Sequence, residues 1–379
     1  MSRKLNVGLM GLGFIGRVHV NAYHAIPLCF PSAAVAANMS ALLRSQAGSD
    51  EFLQTALFNT VTTSTEDFFK APLDLVDICT PNHLHEQEAL AAIERGIPVY
   101  CEKPLTRSLS EARRITGAAE KKGVLTHTAF VLRYLPAIRQ IKTLVDSGEL
   151  GEIFNFRAHM FHSSYLDRNR PMSWRLRMAD SGGGAFADLG AHLVDLVCYL
   201  LGGVSAVRAQ ARTWIKERPV TKGSSHLEKV DVDDWMQCTL ELQRGAIGLI
   251  EVTRMAAGAG EETTLEVFGS KGAVAFSVAQ LDAVRYFDTR RGQWLQGSLP
   301  MLSSAGERPL ETIYPNAKFS QGMMTNLHLA SAYDFLQCIV EGRPSALSFH
   351  SALAVQEVLE AAYASAARGG ERLPLPLGE

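Results

Sequence analysis

With 379 residues, 47% of them hydrophobic and 20% charged, the chain is a globular polypeptide long enough for two domains. A formal net charge of −2 without any basic block argues against nucleic acid or an anionic membrane as the main partner. The six cysteines, Cys29, Cys79, Cys101, Cys198, Cys238 and Cys338, sit mostly among apolar neighbours without a C-x-x-C pair. Buried thiols in a reducing compartment fit them better than disulfides or a metal centre.

Basic residues precede an apolar run at the N-terminus, but Val7 to Gly11 turns straight into a glycine loop with no cleavage site before it. No apolar stretch reads as membrane-spanning, and a cytoplasmic location is expected. Leu5 to Met10 reads as a short strand, and Phe14 to Ala25 as a helix. Ala33 to Ala37 reads as the second strand and Ser40 to Leu57 as helical, interrupted at Gly48-Ser49-Asp50. Ser64 or Thr65 caps a further helix.

Leu75 to Thr80 is a buried strand broken by Pro81-Asn82, and His83 to Arg95 is a helix closed by Gly96. Val99 to Glu102 and Val124 to Thr128 are strands flanking a helix that opens at Ser108 or Ser110. This alternation predicts a doubly wound parallel sheet over residues 1–128.

From 129 to 379 the texture changes. Phe154–Phe161, Val204–Trp214, Trp235–Leu242, Gly245–Arg254, Thr263–Gly269 and Ala273–Val278 read as longer strands, with Gly269-Ser270-Lys271-Gly272 as a tight turn. An α+β domain on a large, mostly antiparallel open sheet is expected. Residues 296–326 read as a long loop, Leu327–Glu341 and Ser345–Ala367 as helices, and Leu373–Pro376 as a tail.

Gly11-Leu12-Gly13-Phe14-Ile15-Gly16 matches G-x-G-x-x-G between a strand and a helix, the arrangement that cradles a dinucleotide pyrophosphate. The acidic residue expected about twenty positions on, for the ribose hydroxyl, is absent near Asn38. Ser40 and Arg44 are donors suited to a 2′-phosphate. The cofactor is therefore NAD or NADP, with the balance towards NADP.

Thr80-Pro81-Asn82-His83-Leu84-His85, then Cys101-Glu102-Lys103-Pro104, then Gly182-Gly183-Gly184 with Asp188-x-Gly190-x-His192-x-x-Asp195 follow the glycine loop in order. Together they resemble the Gfo/Idh/MocA family of sugar and cyclitol dehydrogenases, over nearly the whole chain. The resemblance implies a Rossmann domain, a second open-sheet domain that often builds homo-oligomers (dimers or tetramers), and a sugar or polyol substrate.

It makes Lys103, Asp188 and His192 the catalytic set. His192 can take the alcohol proton, because the unperturbed pKa of histidine lies near neutrality, and Lys103 can stabilise a developing alkoxide. Asp188 would bind substrate hydroxyls. Gly11, Gly13, Phe14, Ile15, Gly16, Thr80, Pro81, Asn82, His85, Glu102 and Lys103 are expected at the cofactor, and Asp195 in a structural role. Arg133, Tyr165, Trp174 and Arg175 join the catalytic set as candidate substrate contacts, with packing as the competing reading for Tyr165 and Trp174; Asn326 and His328 are further polar candidates. His159 and His162 lack the spacing and third partner of a metal site.

The expected reaction is reversible oxidation of a ring hydroxyl of a sugar, sugar derivative or inositol. The same residues also suit an NAD-dependent, redox-neutral glycoside hydrolase. A non-catalytic dinucleotide sensor is the third alternative.

Overall fold

The computed structural model describes residues 3–30, 35–46, 51–297 and 307–378. The chain forms two compact units: Met1–Leu105, Ser110–Tyr134 and Ala305–Ala352 make the first, and Thr106–Leu109, Leu135–Ser304 and Leu353–Glu379 the second.

In the first unit, six strands alternate with helices. They are β1 (Arg3–Met10), α1 (Phe14–Cys29), β2 (Val35–Leu43), α2 (Glu51–Ala56), β3 (Thr60–Thr62), α3 (Thr65–Phe68), β4 (Leu75–Ile78), α4 (Asn82–Glu94), β5 (Val99–Cys101), α5 (Leu109–Lys122) and β6 (Thr126–Thr128). The sheet order is β3-β2-β1-β4-β5-β6, all parallel. Leu5, Val7, Leu9, Leu75, Val76, Ile78, Val99 and Tyr100 are fully buried, so the central strands are apolar on both faces, as a helix-covered parallel sheet requires. The strand order reverses between β1 and β4, and ligands in such sheets bind at the carboxyl ends on either side of that point.

Three local expectations change. Residues 40–43 belong to β2 rather than to a helix, because Ala41, Leu42 and Leu43 pair with Gly8, Leu9 and Met10 of β1. The register slips by one residue between Val7 and Gly8, leaving Ser40 as the extra residue of a bulge. The third strand, β3, was not anticipated, and α1 continues to Cys29, with Pro27 inside it.

The second unit begins with α6 (Pro136–Asp146) and β7 (Ile153–His162), followed by the single helical turn α7 (Met178–Ser181). A π-helical turn, Phe186–Gly190, then runs into α8 (Ala191–Leu201). By composition, Met178–Leu201 is long and apolar enough to cross a membrane, contrary to the sequence reading, but 78% of its most apolar window is buried inside the protein. It is a core segment.

The remaining strands are β8 (Val204–Arg212), β9 (Glu217–Pro219), β10 (Leu227–Lys229), β11 (Trp235–Leu242), β12 (Ile247–Thr253), β13 (Glu261–Gly269), β14 (Gly272–Ser277), β15 (Val284–Asp288) and β16 (Gln293–Gly297). Nine strands, in the order β16-β15-β14-β13-β7-β12-β11-β8-β17, form one sheet, where β17 is Leu373–Pro374. Every neighbouring pair is antiparallel except β7 with β12. β15 and β16 were not foreseen, and part of the expected loop at 296–326 lies outside the described residues.

The sequence reading placed everything from 129 onward in one domain. Instead, α9 (Met323–Glu341) packs within the first unit, and α10 (Phe349–Ala367) follows it. The Tyr333 ring of α9 stacks on Phe30 with 4.5 Å between centroids. Ser331 meets the Tyr100 hydroxyl at 2.7 Å, and Asp334 accepts from Tyr134 at 2.9 Å. A helix that buries polar side chains against β5 and α1 belongs with them, whatever its place in the chain.

Candidate active site

The glycine loop lies at the carboxyl end of β1, beside the point where the strand order reverses. Gly11 has φ +89°, and a Cβ on it would come within 2.9 Å of the Cys79 carbonyl oxygen. A Cβ on Gly16 would fall 2.2 Å from the Gly11 carbonyl oxygen, whereas one on Gly13 meets nothing within 4 Å. Two glycines are thus required by the protein itself, and the space at the third suits a ligand approaching the backbone. Gly13 is also the N-cap of α1, with no side-chain cap and no acidic residue in the first turn. That uncapped N-terminus, flanked by Phe14 and Ile15, fits a diphosphate.

Asn38 lies in the middle of β2 opposite Asn6, to which its side-chain amide donates at 2.8 Å, and Ser40 is buried. Neither is at the strand end where a ribose contact would be expected. The Gly11 amide donates to the Leu43 carbonyl at 2.9 Å, which brings Arg44 and Ser45, just past the end of β2, alongside the loop. The strand end, where a ribose contact would be expected, is therefore next to Arg44. The offset arose because β2 runs six residues beyond its expected end at Ala37.

Thr80, Pro81 and Asn82 follow β4. The Thr80 hydroxyl donates to Glu88 Oε2 at 2.5 Å, and burial pushes the Glu88 carboxyl up to about 7. His85 is fully buried, with Nδ1 3.2 Å from the Leu105 carbonyl and Nε2 3.0 Å from the Thr80 carbonyl. Burial lowers the His85 pKa, and a neutral ring donates to only one of these two carbonyls; with either tautomer the buried ring braces the strand ends from within the protein rather than reaching out to a cofactor.

Glu102 and Lys103 leave β5. Glu102 is held by His19 of α1, whose Nε2 lies 3.1 Å from Glu102 Oε1 and whose Nδ1 lies 2.8 Å from Asp77 Oδ2. Burial disfavours charge on this ring, but Asp77 and Cys79 outweigh it and raise the His19 pKa well above its ordinary value. Burial likewise opposes charge on Glu102, yet the His19 hydrogen bond, His328, and Lys103 lower its carboxyl to about 2. The Lys103 amide donates to Glu102 Oε2 at 3.1 Å, so an imidazolium between two carboxylates anchors the turn that carries Lys103.

The His328 ring lies 4.7 Å from that of His19, tilted by 45°, and burial together with that cation lowers its pKa to about 3. Asn326 makes local bonds to Gln321 and Ser320. Both are buried on α9, with His328 Nδ1 3.9 Å from Glu102 Oε1. Arg133 is buried in the first unit and donates to the Ala346 carbonyl at 3.4 Å.

Asp188, in the π turn, and His192, at the start of α8, lie in the second unit. Arg254, just after β12, donates from Nη2 to Asp188 Oδ2 at 2.9 Å. The arginine side chain is 3% exposed and the aspartate 33%, so the carboxylate keeps an open side. Burial disfavours charge on Arg254, but Asp188, Tyr165 and Asp233 together outweigh it and raise its pKa. The guanidinium lies over the Tyr165 ring, 4.7 Å from its centroid.

Tyr165 packs with Leu176, Val230 and Val232, and Arg218, fully buried, donates to its carbonyl at 2.6 Å. Its position is that of a core residue seating the arginines. Trp174 and Arg175 form a partly exposed pair, stacked at 4.3 Å, on a 3₁₀ turn. Asp195 is buried.

The sequence reading missed His19, Asp77 and Arg254. His19 follows Gly16 by three residues on α1, and Arg254 ends an apolar strand; each is a charged residue where the local pattern calls for an apolar one.

The family profile described as the oxidoreductase family, NAD-binding Rossmann fold, matches residues 5–130, and the GFO/IDH/MocA C-terminal domain matches residues 138–275. Levoglucosan dehydrogenase of Pseudarthrobacter phenanthrenivorans is 31% identical over 379 residues, covering 97% of each chain. Its structure in complex with NADH and levoglucosan superposes with a TM-score of 0.87, at 31% identity, over 99% of this chain and 100% of that one. The NAD-dependent scyllo-inositol 2-dehydrogenase of Bacillus subtilis is 29% identical over 203 residues, 53% of this chain and 54% of the relative. With profiles matching both of its halves and a full-length relative above 30% identity, this chain belongs to the GFO/IDH/MocA family of NAD-binding oxidoreductases.

Proposed function

We propose that the protein oxidises a secondary ring hydroxyl of a sugar, sugar derivative or inositol, reversibly, with His192 as the acid/base. The observation that carries this assignment of roles is the Asp188–Arg254 pair, 2.9 Å apart with the arginine buried. A carboxylate facing a buried guanidinium is stabilised as the anion, so it accepts hydrogen bonds from hydroxyls rather than taking a proton from one. Proton removal then falls to His192, an imidazole four residues on. Lys103, on a turn anchored by the buried Glu102–His19 pair, donates to the reacting oxygen as negative charge develops there. Bound nicotinamide supplies the hydride acceptor. The relatives named for levoglucosan and scyllo-inositol support a polyol substrate for this chain as well.

The preference for NADP over NAD is part of the same reading and rests on Arg44 and Ser45, with no carboxylate among residues 35–46. NADH-bound relatives support NAD as a working cofactor too.

The test is formation of reduced nicotinamide by the purified protein on aldoses, inositols, anhydrosugars and glycosides, with NAD and NADP in parallel. Lys103→Ala is expected to lower turnover at least about a hundredfold, the scale of losing one oxyanion-type donor. His192→Asn is expected to abolish turnover while leaving NADH binding intact. Near-normal turnover in either variant removes that residue from the mechanism. Sugar released from a glycoside without net cofactor reduction would instead identify the redox-neutral hydrolase.

A further inference from the structure

The segment carrying Asp188 and His192 starts with four backbone amides that no helix can satisfy internally. They belong to Gly184, Ala185, Phe186 and Ala187, and two residues distant in sequence take all four. Asp233 Oδ1 accepts from the Gly184 amide at 2.8 Å, Oδ2 from Phe186 at 2.9 Å, and the Asp233 carbonyl from Ala185 at 2.9 Å. The Tyr363 hydroxyl accepts from Gly184 at 3.0 Å and Ala187 at 3.1 Å, and donates to Asp233 Oδ1 at 2.7 Å.

The glycines make room for this clamp. A Cβ on Gly184 would fall 2.0 Å from the Asp233 carbonyl oxygen, and one on Gly183 would fall 2.2 Å from the Tyr363 hydroxyl. The Tyr363 ring meets Phe186 edge-on at 6.3 Å. Beyond the clamped amides the chain takes a π turn, in which the Ala191 amide reaches back to the Phe186 carbonyl. Such turns are costly and short, and they persist only where the surroundings impose them. This one changes the angular offset between Asp188 and His192 from that of a plain α-helix.

We infer that Asp233 and Tyr363 are positioning residues for the reaction: together they impose the register that sets Asp188 against His192. Arg254 holds the Asp188 carboxylate, and the clamp holds its backbone. This inference rests on the reading that Asp188 and His192 carry the chemistry.

The experiment compares Tyr363→Phe and Asp233→Asn with His192→Asn in the full chain, using the sugar with the highest turnover in the panel. It measures kcat, KM, NADH affinity, the melting temperature, and the pH profile of kcat. Tyr363→Phe keeps the ring and removes only the hydroxyl. Its expected effect is a roughly ten- to hundredfold loss of kcat, the scale of a small misplacement of reacting groups, with NADH affinity unchanged. The apparent pKa of the kcat profile is also expected to move, because the surroundings of the base have changed.

A smaller folded fraction would scale the rate without moving that pKa. Wild-type kcat in Tyr363→Phe, or a lower rate with an unmoved profile, overturns the inference. If Tyr363→Phe does not fold, Asp233→Asn, which retains shape but gives up the anion, is judged by the same criteria. Full activity in His192→Asn would overturn the underlying reading separately.

Discussion

Glu88 shows how a buried charge near the cofactor-side strand ends shapes stability. It is 8% exposed, its carboxyl is pushed up to about 7 by burial, and the Thr80 hydroxyl partly offsets that shift. An acid with a raised folded-state pKa binds more protons folded than unfolded between about 4.5 and about 7. Stability therefore falls as pH rises through that window, by an amount on the order of 3 kcal/mol. Glu88→Gln is expected to be neutral near pH 4 and to stabilise the protein near pH 8 by up to that amount. Denaturant unfolding of both proteins at the two pH values checks it; an equal effect at both would mean that Glu88 is charged throughout. The sign is opposite for Glu102, whose carboxyl is lowered to about 2: its contribution is fully present above its ordinary pKa and is lost as pH falls through 2. The sequence singled out Glu102 as a cofactor contact and passed over Glu88, and it showed the charge state of neither, because burial and partners across the fold, not neighbours in the chain, set that charge.

At the scale of elements, the glycine loop separates what the protein needs from what the ligand needs. Gly16→Ala places a methyl 2.2 Å from a backbone oxygen, so the loop must shift. A loss of about 1–3 kcal/mol of stability is expected, along with at least tenfold weaker NADH binding. Gly13→Ala adds a methyl where nothing lies within 4 Å, so the melting temperature without cofactor should stay the same while NADH binding still weakens at least tenfold. Melting curves and NADH fluorescence titrations of the two variants decide it; unchanged NADH affinity in Gly13→Ala would mean that the pyrophosphate does not pass that backbone.

This loop was legible in the sequence because its function is a local backbone requirement. The end of β2 was not: Met39-Ser40-Ala41-Leu42-Leu43 suits a strand or a helix, and pairing with β1 decides between them. The Asp233–Tyr363 clamp was illegible for a stronger reason. Its members lie 49 and 179 residues from Gly184, and a lone Asp or Tyr carries no pattern.

For the molecule as a whole, the alternation of strands and helices was enough to foresee a doubly wound sheet, but not that α9 returns to it. Helical periodicity reports which face is apolar, not which sheet that face meets. One consequence concerns the cofactor. Gly11 to Gly16, Arg44, Thr80 to Asn82, Glu102 and Lys103 all lie in the first unit, so a dinucleotide bound by them stabilises that unit. A ligand at a hundred times its Kd adds about 2.7 kcal/mol, or roughly 5–10 °C for a unit of this size. Calorimetric unfolding with NAD or NADP therefore measures cofactor preference without knowledge of the sugar. At equal concentrations NADP is expected to give the larger shift, and Arg44→Ala to erase the difference while preserving the shift with NAD. A larger shift with NAD in the unmodified protein would show that Arg44 serves the adenosine without reading a 2′-phosphate, and would reverse the proposed preference.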